Sequence, residues 1–302
     1  VSAPALRPRS VTELVDAAFQ LVRLHYVQFV SISAVFLIPA ILVQALFARS
    51  TGPFVIPSAT GTTGQTLAPG AILPFTLVAL VVGLLGLLGT AAVVVGVSDS
   101  YVHDRVDVGQ AVRRVLGRFG PIIGGAVGQA LAMAISAFIL VFGAMLVVGV
   151  LVLVLPKGTA TALMGVLVVP IVLIGEVAVF ARVFAVPMVI VLEGGTVGHA
   201  FSRSLELTRG SVGRVIGVLV LTGLIFLALF GAILFFIGYL SAVAPRGGPM
   251  YAVLSSVINI FAYPIYTVFI TLLYYDLRIR KDGFDLEVMS RELMGAAPAV
   301  PA

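Results

Sequence analysis

Apolar residues along this chain run in six long blocks, parted by short segments where polar residues return at helical spacing. The blocks cover about 28–47, 71–97, 121–155, 161–191, 212–243 and 250–275. A helix needs roughly 20 apolar residues to cross about 30 Å of hydrocarbon, so the pattern predicts six transmembrane helices. The third block would make a helix of roughly 52 Å at 1.5 Å per residue. That is too long for one bilayer unless the helix tilts or breaks, and too short for two spans.

The segments before the odd-numbered blocks share a second pattern. Ser10-Val11-Thr12-Glu13-Leu14-Val15 opens the first, and Asp107-Val108-Gly109-Gln110-Ala111-Val112 opens the second. Thr196-Val197-Gly198-His199-Ala200-Phe201 opens the third. Each starts with a residue whose side-chain oxygen accepts a backbone N–H from a first helical turn. Ser10 with Glu13 makes a full capping box. Apolar residues then recur at helical spacing, with charged residues on the other faces, as in a helix lying in the headgroup plane. Gly120-Pro121 and Gly210 are placed to turn the chain into the next span.

The three starts lie 97 and 89 residues apart. The expected fold is therefore all-α and membrane-integral, with six transmembrane helices. It is built as three parallel repeats of an interfacial amphipathic helix plus a two-span hairpin, about 10–97, 107–191 and 196–275. A pseudo-threefold bundle around the membrane normal follows from repeats that all point one way. Residues 1–287 read as a single six-span domain. The stretch 48–70, rich in Gly, Pro, Ser and Thr, reads as a mobile outer loop, and the tail 288–302 as disordered.

Composition agrees with a membrane protein. The chain is 60% apolar and 10% charged, against about a quarter charged in soluble domains. Its mean hydropathy is +1.18. The absence of cysteine removes disulfides, thiol nucleophiles and thiolate metal sites. The first 25 residues carry Glu13 and Asp16 and do not read as a cleavable signal.

Charge supplies the orientation. Fourteen of the eighteen Lys and Arg residues fall on one side of the six spans, and only Arg49, Lys157 and Arg246 on the other. Basic residues are retained on the cytoplasmic side, so both termini are expected there. The pI near 9.8 then reflects cations lining a membrane. Anionic lipid headgroups are the natural partner, rather than nucleic acid. The headgroup candidates are Arg113, Arg114, Arg118, Arg203, Arg209, Arg214, Arg278, Arg280 and Lys281.

Three stretches carry a family resemblance. They are Leu6 to Ser10 running into Tyr26, His199 to Gly210 (HAFSRSLELTRG), and Tyr274 to Glu287 (YYDLRIRKDGFDLE). They resemble the bacterial glycerophosphoryl diester phosphodiesterase membrane-domain family. The resemblance implies a six-span module in the bacterial plasma membrane. The catalytic domain that gives that family its name has no counterpart here, so its His-Arg pair and metal-binding acids are not carried over.

Four polar residues inside the apolar blocks are candidates for function. Glu176 is the sharpest, because an ionisable group at that depth costs a few kcal/mol and usually faces a bundle interior or cavity. It reads either as a proton, ion or headgroup site, or as a structural carboxyl hydrogen-bonded to a neighbouring helix. Arg182 lies six residues on, roughly 120° around the helix, and reads either as snorkelling to headgroups or as the partner of an acid on another span. Gln129 and Asn259 read as inter-helix hydrogen bonders or as ligand contacts.

Gly124, Gly128, Ala132 and Ser136 form a small-residue packing stripe, as do Gly83, Gly86 and Gly89. The Tyr residues 263, 266, 274 and 275 read as packing and interface anchors. His25, His103 and His199 have no metal-ligand spacing, and Asp99, Asp104 and Asp107 read as a solvated loop. No cofactor or metal motif is found. Three functions remain open: a non-enzymatic module organising anionic lipid or a partner membrane protein, a transporter using Glu176, and a membrane-embedded enzyme of lipid metabolism.

Overall fold

Amphipathic helices and long apolar helices alternate along the chain, as the residue pattern requires. The computed structural model describes residues 8–50, 55–56, 66–67, 72–103, 105–154, 159, 166, 168–243 and 247–283. Helix α1 is Val11–Ser50, followed by a two-residue antiparallel pair, β1 (Val55–Ile56) with β2 (Thr66–Leu67). Helix α2 is Ile72–His103, α3 Val108–Leu116 and α4 Phe119–Val154. Helix α5 is Val169–Val183, and α6, Val186–Met188, runs into a π-helical turn at Val189–Glu193. Helix α7 is Val197–Thr208, α8 Val212–Val243 and α9 Gly247–Asp282. Among the described residues, six helical segments are long and apolar enough to cross a membrane. The chain is an all-α, multi-pass membrane protein.

All three expected caps are made. Glu13 N–H donates to Ser10 Oγ at 3.2 Å, and Ser10 N–H donates back to Glu13 Oε2 at 2.8 Å. Gln110 N–H donates to Asp107 Oδ1 at 2.9 Å, and His199 N–H to Thr196 Oγ1 at 3.3 Å. Each supplies an acceptor to a first-turn donor that has no partner within its own helix.

Three turns lead into the spans, and of the two placed in the sequence, at Gly120-Pro121 and Gly210, one differs from expectation. The first occurs inside α1 at His25, whose φ of −123° and ψ of 19° leave the helical region without Gly or Pro. The second lies at Gly117-Arg118, and Gly120-Pro121 sits in the first turn of α4 instead. A proline costs nothing there, because a first-turn N–H has no intrahelical acceptor. The third follows the expectation, with Gly210 at a φ of +75°.

Helix α4 runs unbroken for 36 residues, so the third block does not break. The fourth does. Pro187 has no N–H for the Val183 carbonyl, and its ring crowds that carbonyl. The helix is interrupted at Phe184-Ala185.

The chain divides into two compact units. The first holds Arg9–Phe119 and Leu221–Leu272. In it α1 packs along α2, with Phe36 against Gly89, and Ile32 and Phe29 against Gly96. A Cβ at Gly96 would lie 2.6 Å from Ile32 Cδ1, so the Ile32 side chain packs into the space glycine leaves. Helix α3 packs on α1 and α2 through buried Ala111 and Val115. Phe19 meets Phe269 of α9 edge-on, with ring centroids 5.4 Å apart.

The second unit holds Gly120–Val220 and the chain from Leu273. There α7 packs against α5, α6 and the π-turn. It also covers the small-residue stripe of α4: a Cβ at Gly124 would lie 2.9 Å from a Val197 methyl, and one at Gly128 2.8 Å from the Phe201 ring. Gly124 and Gly128 of the stripe therefore receive a short amphipathic helix, while Ser136 meets Glu176 of the fourth span. Among the described residues, Gly83 and Gly86 have no neighbour within 4 Å of an added Cβ.

Burial is concentrated at one end of the spans. On α2, Ile72–Leu77 are exposed while Ala91–Val97 are buried, and on the fourth span Ala181 and Val183–Val186 are buried while Ile171, Leu173 and Ile174 are exposed. The buried halves are those next to the basic segments, hereafter the basic end. Lys157, Arg246, Arg291, Asp104, most of the loop 48–70 and the tail 288–302 lie outside the described residues.

Candidate functional site

The densest polar cluster lies at the basic end of the second unit, where the chain leaves the fourth span, crosses α7 and returns on α9. Glu193 ends the π-turn, and Gly194 follows with a φ of 81°, its N–H donating to the Val189 carbonyl at 3.1 Å. That left-handed residue turns the chain directly into α7. Glu193 Oε1 accepts from the hydroxyl of fully buried Tyr274 at 2.5 Å. Glu193 Oε2 lies 3.4 Å from Arg203 Nε of α7. Arg203 also reaches Glu206 Oε2 at 3.2 Å and pairs with Asp282 near the end of α9. Arg278 lies 3.7 Å from both Glu193 and Asp282, with its guanidinium over the Tyr274 ring.

A second group sits beside it. Asp276 is only 3% exposed and receives two arginines on one oxygen. Arg214 of α8 donates through Nε at 3.0 Å, with Nη2 at 2.9 Å, and Arg280 through Nε at 3.0 Å. Lys281 Nζ donates to the Arg209 carbonyl at 2.8 Å, closing the end of α7. Burying a carboxylate is costly unless cationic donors replace the lost water, and Arg214 and Arg280 take that place at Asp276.

Arg203 has a pKa above its ordinary value. Burial pulls it down, but the Asp282, Glu193 and Glu206 carboxylates outweigh that. Chemically the cluster is an ion-pair clamp. It joins the π-turn, α7, α8 and α9, and it brings together the stretches 199–210 and 274–283 noted in the sequence.

This revises the headgroup candidates. Arg203, Arg214, Arg278 and Arg280 are engaged with carboxylates of the chain itself, although Arg280 remains exposed. In the first unit Arg114 pairs with Asp99 at 3.3 Å, so Asp99, 13% exposed at its side chain, is no solvated loop residue. Arg118 is half-buried. Arg113, Arg209 and Lys281 are exposed.

The candidates within the spans are not brought together. Glu176 is half-buried and accepts from Ser136 Oγ of α4 at 2.8 Å. Gln129 Nε2 donates to the Val183 carbonyl at 3.3 Å, the acceptor that Pro187 strands. Ser204 Oγ donates to the adjacent Arg182 carbonyl at 2.7 Å. Gln129 and Ser204 thus repair a broken helix. Arg182 itself is exposed, with no carboxylate partner among the described residues. Asn259 makes no inter-helix bond among the described residues: it donates to the Ser255 carbonyl of its own helix at 2.8 Å.

Sequence reasoning missed Glu193, Asp276 and Asp282. The i,i+4 spacings Asp276/Arg280 and Arg278/Asp282 were visible signals of local pairing. Among the described residues no group of three metal-ligating side chains is found. No family model, no curated protein and no solved structure matches the chain.

Proposed function

We propose that this chain is a non-enzymatic, multi-pass module of the bacterial plasma membrane that organises anionic lipid or a partner membrane protein. Both termini lie on the cytoplasmic side, with the amphipathic segments at the headgroups and the three repeats arranged around the membrane normal. The observation that carries the reading is the division of cations at the basic end. Arg203, Arg214 and Arg278 lock helix ends to buried or half-buried carboxylates, and Arg280 pairs with Asp276 on its own helix. Arg105, Arg113, Arg182, Arg209 and Lys281 are exposed without a carboxylate partner among the described residues. A rigid frame edged with available cations suits an anionic leaflet, where each basic residue contributes about 1 kcal/mol.

Kinship with the glycerophosphoryl diester phosphodiesterase membrane-domain family is part of this proposal. It is supported by the meeting of two of the three resembling stretches in one clamp. Native mass spectrometry of the protein released gently from its own membrane tests the function. Retained anionic lipid or a bound second membrane protein is expected, and a bare chain with only exchangeable zwitterionic lipid refutes it.

Transport is the second reading. Its support is that Glu176 stays half-exposed inside a span despite its hydrogen bond to Ser136. A bound small molecule lost in Glu176→Gln would favour it.

A further inference from the structure

We infer that Arg209 and Lys281 together form a specific seat for the phosphate of an anionic phospholipid. The inference rests on the lipid-organising reading and names its site. The clamp explains why these two are singled out, since the other cations nearby are engaged with Glu193, Asp276 and Asp282. Arg209 and Lys281 are exposed, and neither has a carboxylate partner among the described residues. They are also held together: Lys281 Nζ lies 2.8 Å from the Arg209 carbonyl, so an ammonium sits at the backbone that carries the guanidinium.

Their depth fits a headgroup. Arg209 precedes the fifth span, which starts at Val212, and Lys281 is one residue from the end of the sixth span at Asp282. The hydrogen bond therefore fixes the start of one span and the end of another at one membrane surface. An ammonium is a point charge for a phosphate oxygen, whereas a guanidinium offers two parallel donors. The pair supplies one of each, and Lys281 keeps donors beyond the one given to the carbonyl.

The test is native mass spectrometry of the full chain in detergent, titrated with phosphatidylglycerol, phosphatidylcholine and soluble glycerol phosphate. Preferential retention of phosphatidylglycerol is expected. Arg209→Gln and Lys281→Gln should each weaken it about fivefold, one basic residue's contribution, and each should weaken it more than Arg113→Gln does. Lys281→Gln also removes a helix-end contact, so Arg209→Gln is the decisive variant. If the preference survives Arg209→Gln but falls in Arg113→Gln, this seat is wrong while the lipid-organising reading stands. If the parent protein shows no preference for phosphatidylglycerol, both are wrong. Competition by glycerol phosphate at equal concentration would overturn the lipid as the source of the phosphate.

Discussion

Replacing Asp276 by Ala removes the most buried charge of the clamp. The carboxylate is 3% exposed, and the side chains of Arg214 and Arg280 are 23% and 35% exposed. Breaking a fully buried ion pair costs about 3–5 kcal/mol. Here the stranded guanidiniums can reach water, so we expect about 2–3 kcal/mol for Asp276→Ala. The two arginines should not contribute equally. Arg214 reaches across from α8 with Nε and Nη2, and charge-assisted hydrogen bonds contribute about 1.5–3 kcal/mol. Arg280 sits at i+4 on the same helix, where ion pairs contribute about 0.3–0.5 kcal/mol. Double-mutant cycles of Asp276→Ala with Arg214→Ala and with Arg280→Ala separate the two. The assay is reversible unfolding in mixed micelles, followed by circular dichroism. Equal couplings, a larger one for Arg280, or an Asp276→Ala cost below about 0.5 kcal/mol would refute the clamp.

Three further outcomes follow from the packing. Gln129→Leu should cost about 1–3 kcal/mol by stranding the Val183 carbonyl, and adding Pro187→Ala should recover part of it by restoring an N–H. Thermal unfolding of the two variants checks this, and absence of recovery would break the account. Gly128→Ala meets the Phe201 ring and should cost about 1–3 kcal/mol, while Gly86→Ala, with no neighbour, should be neutral or gain up to about 1 kcal/mol; paired melting curves decide. Arg203, raised above its ordinary value by its carboxylate partners, contributes stability that is fully present below that unfolded value and lost only above the folded one. Replacing Arg203 by Gln should therefore lower stability by the same amount at pH 7 and pH 9, and a cost that changes across that window would mean another group carries the effect.

The caps show what is local and therefore legible. Ser10 with Glu13, Asp107 with Gln110, and Thr196 with His199 join residues three apart, so identity and spacing suffice. The same holds for six spans, since crossing hydrocarbon depends on the length and polarity of one segment. Asn259 shows the limit: the sequence marks a polar group in a span but does not say whether its acceptor is on another helix or its own. Pro187 announces a stranded carbonyl at Val183, yet Gln129 as its donor comes from 54 residues away.

The sequence by itself determined the membrane class, the number of spans, the caps and the charge asymmetry. Each of these follows from periodicity or from transfer of single segments between water and lipid. Tertiary structure decided which cations remain available. Arg214 and Asp276 are 62 residues apart, and Tyr274 and Glu193 81 apart. A basic residue looks the same in sequence whether it faces a headgroup or a buried carboxylate. The distinction depends on which helix ends meet, and between spans that packing is set by surface fit rather than hydrophobic patterning, because lipid is as apolar as the helices it surrounds.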